Sequence, residues 1–157
     1  MANPSTNSQP SVNATCVLTN NLPVIGNTYI FRNNNIDGGP YYMNFSSTCG
    51  EDSDSNCKGT FPTTMNADEA VKLVYTDNGY LQISGHECYL KAGKNSLKAV
   101  GSNNNPTIWT FNGKGYIVDT SNTYALGLTC GCEGIYVSGS IYNTVNLVQC
   151  GWEVITI

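Results

Sequence analysis

The sequence predicts an all-β chain and, within that class, a β-trefoil. Three observations carry this. Leu73-Val-Tyr-Thr-Asp-Asn-Gly-Tyr80 and Trp109-Thr-Phe-Asn-Gly-Lys-Gly-Tyr116 repeat one pattern: an alternating strand, a polar Gly turn, and the first aromatic of a second strand. A partial third copy, Trp152-Glu-Val-Ile-Thr-Ile157, places the anchors Leu73, Trp109 and Trp152 36 and 43 residues apart. That spacing suits repeated units of about 40 residues. Finally, 21 Asn and 16 Gly with only 11% charged residues favour turns over helices.

The remaining elements fall into place around the anchors. Tyr29–Asn33, Cys88–Ala92 and Thr123–Leu128 read as first strands of a unit. Tyr41–Phe45, Leu97–Val100 and Ile135–Ser138 read as second strands. Each unit is then strand, loop, strand, connection, strand, Gly turn, strand, three times over. Alternation puts Leu73 with Tyr75, and Trp109 with Phe111, on one sheet face. The expected core around a pseudo-threefold axis is Leu73, Trp109, Trp152, Tyr80 and Tyr116. The last unit shows no fourth strand after Trp152, and Val17-Leu18 or Val24-Ile25 are candidates to supply it. Thr64–Val71 is the one stretch suited to a helical turn, and it lies in a connection. Residues 1–25 read as a flexible N-terminal extension, its first twelve rich in Ser, Asn, Pro and Gln. Residues 26–157 read as a single domain, long enough to bury a core.

A net charge of −4 and a pI near 4.7 argue against nucleic acid and anionic membranes as partners. No apolar run reaches membrane-spanning length. Seven cysteines in a small, charge-poor β domain point to an oxidising compartment and a secreted protein. The sequons Asn13-Ala-Thr15 and Asn44-Phe-Ser46 fit secretion, although so Asn-rich a chain produces such triplets by chance. No signal peptide is legible, and Met1-Ala-Asn-Pro-Ser reads as a start joined to a mature N-terminus. Cys49 and Cys57 bracket a short acidic loop and are the expected disulfide pair. One of Cys130 and Cys132 is expected to pair with Cys150, Cys88 or Cys16, and the sequence leaves that choice open. The odd seventh cysteine has no assigned role.

Little in the chain marks an enzyme. His86, the only histidine, shares a face with Cys88 in an extended segment, but a half-cystine beside a surface histidine outweighs a catalytic pair. Cys130-Gly-Cys132 is tighter than zinc-ligand spacing and lacks further ligands nearby. Glu51-Asp-Ser-Asp54 lacks the loop and closing Glu of a calcium site. Neither a metal nor another cofactor is expected. Binding by loops remains, since rigid β scaffolds carry function there. The loop Asn33–Pro40 holds Gly38-Gly39, whose backbones permit positive φ and close approach, and Pro40 stiffens its exit.

Gly26-Asn-Thr-Tyr-Ile-Phe-Arg32, the paired Gly38-Gly39, the Leu73–Tyr80 hairpin and the closing Trp152–Ile157 strand together resemble the mycocypins. These are fungal cysteine-protease inhibitors of the clitocypin and macrocypin type. The likeness spans most of residues 26–157, as pattern more than identity. It implies a β-trefoil that occludes papain-like proteases with the loop between its first two strands and the loop between its third and fourth. Carried over, those loops fall on Asn35, Ile36, Asp37, Gly38, Gly39 and Pro40, and on Thr76, Asp77, Asn78 and Gly79. A second protease site is implied at Asn95 for a legumain-type enzyme, or at Lys94 for a trypsin-like one. The resemblance thus implies a secreted fungal inhibitor, with action on a host protease as one biological setting. The seven cysteines, the N-terminal extension and the Cys49–Cys57 insertion depart from the family pattern.

A carbohydrate-binding trefoil of the ricin-B type is the alternative. Its Gln-any-Trp signature is absent before Trp109 and Trp152, and no Asp occupies the three second strands. The ten tyrosines then belong to the core and its rim.

Overall fold

The computed structural model of the chain describes residues 22–34, 38–47, 57–93, 98–111, 116–121, 124–131, 134–141 and 151–157. Within these, only the backbone is described for 129–131, 134–136 and 138–141. The described residues are all-β. The strands are β1 (Thr28–Asn33), β2 (Tyr41–Met43), β3 (Ser46–Ser47), β4 (Gly59–Thr60), β5 (Thr63–Thr64), β6 (Leu73–Tyr75) and β7 (Leu81–Ile83). They continue with β8 (Tyr89–Lys91), β9 (Val100–Ser102), β10 (Trp109–Phe111), β11 (Ile117–Asp119), β12 (Tyr124–Gly131), β13 (Gly134–Ile141) and β14 (Glu153–Thr156). A 3-10 turn, Ala67–Glu69, is capped by the Asn66 side chain and falls inside the stretch expected to make a helical turn.

All pairings are antiparallel. One curled sheet runs β3-β4-β9-β8-β7-β6-β1-β2-β5, with β14 added on β1, and a second runs β10-β11-β12-β13. β1 therefore has three partners: β6 at its start, β14 along most of its length, and β2 at its end. The strand after Trp152 pairs with β1 itself, and Val24–Ile25 forms no strand; the Val24 N–H donates to the Tyr29 hydroxyl at 2.7 Å. Val17-Leu18 lies outside the described residues.

The same register recurs three times. Two residues beyond Leu73, Trp109 and Trp152, respectively, Tyr75 stands opposite Leu81, Phe111 opposite Ile117, and Val154 opposite Phe31. The three anchors, with Phe31, Leu81 and Ile117, are fully buried in one core. The two indoles are bonded alike: Trp109 Nε1 donates to Leu90 O and Trp152 Nε1 to Leu126 O, both at 3.0 Å. Phe61, Ala99 and Val137, all fully buried, meet where the two sheets join. There the Val137 N–H donates to Phe61 O at 2.7 Å and the Ala99 N–H to Val137 O at 2.9 Å.

Several expectations need correction. Tyr80 and Tyr116 are half-buried rather than central. Alternation explains why: Leu81 and Ile117 take the inward positions, so the tyrosine before each turns outward. Tyr80 packs edge-on to Tyr89 instead, with ring centres 5.4 Å apart. Of the strand expected at Leu97–Val100, Leu97 lies outside the described residues, Lys98 forms an isolated bridge, and β9 runs from Val100. The disulfide joins Cys57 to Cys88, with Cα atoms 5.2 Å apart, so the expected Cys49–Cys57 bridge is replaced. Sequence proximity favoured the short loop, but β4 pairs β9 and β9 pairs β8, and this ladder brings Cys57 against Cys88. Cys49 and the side chains of Cys130 and Cys132 lie outside the described residues.

Candidate functional site

β1 fixes the geometry of the candidate loops. Its last residue, Asn33, is fully buried and pairs with Tyr41, so the intervening loop is pinched at its base. Polar contacts tie the same base down. Arg32 Nε donates to Glu153 Oε1 at 2.8 Å, the one salt bridge among the described residues. The Asn34 side-chain amide donates to the same Glu153 oxygen at 2.7 Å. Arg32 also reaches the Tyr42 hydroxyl at 3.4 Å and lies 5.9 Å over its ring. The bond to Glu153, then that to Tyr42, holds the guanidinium above its already high range, so Arg32 stays cationic throughout.

Gly38 returns the loop toward β2 with φ +90°, a left-handed conformation that side chains rarely adopt. A Cβ there would also stand 2.8 Å from the Tyr41 hydroxyl. The Gly39–Pro40 peptide is cis. Asn35, Ile36 and Asp37 lie outside the described residues, as do Lys94 and Asn95.

Thr76–Gly79 forms a closed turn. The Gly79 N–H donates to Thr76 O, the Thr76 N–H to Tyr80 O, and the Tyr80 N–H to Thr76 Oγ1, at 2.9, 2.9 and 3.0 Å. It does not neighbour the Gly38–Pro40 loop. Thr28 pairs with Val74 and Tyr29 with Leu73, so β6 runs back past the start of β1. The turn therefore lies at the opposite end of a six-residue strand, roughly 20 Å away at ~3.3 Å per residue.

A different segment stands beside the Gly38–Pro40 loop. Tyr42 pairs with Thr64, so Met65 follows β5 at the end where Tyr41 begins β2. The connection Met65–Ala70 is stiffened from within. Asn66 Oδ1 accepts the Asp68 N–H at 3.0 Å, and the Thr64 hydroxyl donates to Glu69 Oε1 at 2.8 Å. Ala70 packs on Ile30 and Tyr42, while Met65 is 61% exposed. The sequence marks this stretch as a helical turn through Asn66-Ala-Asp-Glu69. No residue type in it marks a site, because what matters is its position beside the first loop.

Cys88 is a half-cystine, so His86 has no thiolate beside it. Among the described residues, no three His, Cys, Asp or Glu side chains come together as a metal site.

No family model matches the chain, and no curated protein matches it. Among solved structures, it is similar to a salivary protein from Culex quiquefasciatus that belongs to the Cysteine and Tryptophan-Rich (CWRC) family. The TM-score is 0.58, covering 89% of this chain and 99% of that one, at 12% identity. At that identity the likeness is one of fold.

Proposed function

We propose that this chain is an extracellular β-trefoil that inhibits papain-like cysteine proteases through loops at one end of its barrel. The trefoil reading is supported by the register shared at Leu73, Trp109 and Trp152, by the matched indole bonds, and by the meeting of Phe61, Ala99 and Val137. The extracellular reading is supported by the Cys57–Cys88 disulfide and, more distantly, by a structural neighbour described as salivary.

The observation that carries the inhibitory reading is the clamped loop. Arg32, Asn34 and Glu153 hold its entrance, Gly38 turns its exit, and the stiffened Met65–Glu69 segment stands beside it. Loops ordered before docking lose little entropy on binding, which is how a modest interface becomes tight. Counted by the pairings, Met65–Glu69 lies between the third and fourth strands of the first unit, the position the mycocypin resemblance assigns to the second inhibitory loop. The inhibitory pair is then Asn35–Pro40 with Met65–Glu69, and Thr76–Gly79 belongs to the far end. The proposed second site is Asn95 for a legumain-type protease, with Lys94 the alternative for a trypsin-like one.

Inhibition constants against a panel of papain-like, legumain-like and trypsin-like enzymes test this. Gly39→Arg and Met65→Arg are expected to weaken inhibition of a papain-like enzyme at least tenfold, about 1.4 kcal/mol. Asn78→Arg, at the far end, is expected to leave it unchanged. A wild-type chain that inhibits no enzyme of the panel refutes the function. Inhibition by both the Gly39 and Met65 variants as strong as that of the wild type refutes the loop pair. Loss of legumain inhibition in Asn95→Ala, with papain inhibition intact, is the expected signature of the second site.

A further inference from the structure

The chain also holds a cleft between the end of β8, the segment leading into β10 and the turn into β12. Its volume is about 360 Å³, and it is lined by Lys91, Ala92, Asn105, Thr107, Asp119 and Tyr124. Sites for small molecules run from ~300 to 1,000 Å³, so this one has room for a single ring-sized ligand. We propose that this cleft binds one neutral, hydroxyl-rich sugar residue.

Both walls are built before any ligand arrives. On one side the Thr107 hydroxyl oxygen accepts the Ala92 N–H at 3.0 Å, and the Lys91 ammonium donates to Asn104 O at 3.3 Å. These bonds tie the end of β8 to the segment leading into β10. On the other side Asp119, 9% exposed, organises the turn into β12. Its Oδ1 accepts the Tyr124 N–H at 2.8 Å and its Oδ2 the Ser121 hydroxyl at 2.6 Å. Asp119 stands opposite the anchor Trp109 at the end of β11, as Asn33 ends β1, and the two are the buried polar side chains of the described residues.

The lining chemistry selects the ligand class. Lys91 and Asp119 give the wall one positive and one negative charge, so it favours neither a strong anion nor a strong cation. Lysine, asparagine and threonine bring N–H and O–H donors, and the carboxylate, amide and phenol oxygens bring acceptors. A sugar hydroxyl donates and accepts at once and matches such a mixed set. Tyr124 and Ala92 add apolar surface for the C–H face of the ring. Asn105 holds a left-handed conformation, φ 51°, immediately before Pro106. A strained backbone position at a cleft is the kind of feature that positions a functional side chain.

The test is titration of the full chain, followed by amide correlation NMR. The probes are the methyl glycosides of galactose, mannose, glucose and N-acetylglucosamine, with glycine and inorganic phosphate as charged controls. A Kd of order 1 mM is typical of the ~4 kcal/mol that a few such contacts supply. Saturable shifts confined to Lys91, Asn105, Thr107 and Tyr124 and their neighbours are expected with at least one glycoside, and none with glycine or phosphate. Asn105→Gly preserves the backbone conformation while removing the amide, and Tyr124→Phe removes one hydroxyl. At least one of them is expected to weaken binding tenfold with the spectrum otherwise intact. The proposal is overturned if no glycoside gives saturable shifts there, if glycine or phosphate does so equally well, or if both variants bind as the wild type. None of these readouts involves a protease, so the result is independent of the inhibitory reading.

Discussion

Replacing either tryptophan by phenylalanine is a direct test of the recurring architecture. Both indoles are fully buried, and each donates its ring N–H to a strand carbonyl at 3.0 Å, Trp109 to Leu90 and Trp152 to Leu126. Phenylalanine removes the donor and leaves a buried carbonyl unpaired, at about 1–3 kcal/mol. The smaller ring also loses roughly 1 kcal/mol of apolar burial, and the cavity left behind adds to that. Each substitution should therefore cost about 2–4 kcal/mol. For a domain of this size that is a fall in Tm of roughly 5–15 °C. Urea and thermal unfolding followed by circular dichroism measure it, and the tryptophan left in each variant serves as a fluorescence reporter. Because the two indoles occupy matching places, their costs should agree within about 1 kcal/mol. A cost below about 1 kcal/mol at either site would refute the reading of these bonds. A gap above about 2 kcal/mol would refute their equivalence.

Three further outcomes are expected. Gly101→Ala should be among the most damaging single-methyl additions, at about 3 kcal/mol, because its Cβ would run into the Cys57 carbonyl and stand 2.8 Å from the Phe45 ring; a well-folded variant of near-native Tm would contradict this. Non-reducing peptide mapping should recover Cys57 joined to Cys88, and Cys88→Ser should cost about 3–4 kcal/mol for a separation of 31 residues; a Cys49–Cys57 peptide would overturn the pairing. Burial raises the Tyr75 phenol above its ordinary 10.0, and its hydroxyl donates to Trp109 O at 2.9 Å. The folded state thus holds this proton more tightly than the unfolded one. The contribution to stability is complete below about pH 10 and is lost as pH rises through the folded value. Tyr75→Phe should accordingly flatten the alkaline fall in stability, and an unchanged slope in urea melts across that range would count against it.

The sequence reveals elements wherever local chemistry decides them. The turns after Tyr75 and Phe111 carry Asn and Gly, and the alternation before them fixes which side chains face inward, so Leu73, Trp109 and Trp152 are legible as core. Tyr80 and Tyr116 misled because an aromatic at a strand's start looks buried until the pairing shows Leu81 and Ile117 facing inward. β3, β4 and β5 are two residues each and have no periodicity to read. The Cys57–Cys88 bridge and the nearness of Met65–Glu69 to Gly38–Pro40 depend on pairings between distant segments, which no local pattern records. That Thr76–Gly79 stands at the far end of β1 from Gly38–Pro40 likewise depends on a distant pairing, that of β6 with the start of β1. The cleft at Asp119 is not legible for a related reason: its two walls are a dozen or more residues apart, and each looks like an ordinary turn.

The three-way pairing of β1 has a consequence for how the protein is made. Arg32 and Glu153 are 121 residues apart in sequence, yet they face each other across the β1–β14 ladder. As the ribosome extends the chain, β1 emerges early and gains β2 and β6 within the next few dozen residues. The stretch from Tyr29 to Arg32 that β14 will cover must wait for residues more than a hundred positions further along the chain. Until then β1 presents open hydrogen-bonding groups to any passing extended chain. Pairing of β14 with β1 is therefore an event of high contact order and correspondingly slow. A chain truncated before Glu153 would leave that stretch of β1 without its β14 partner.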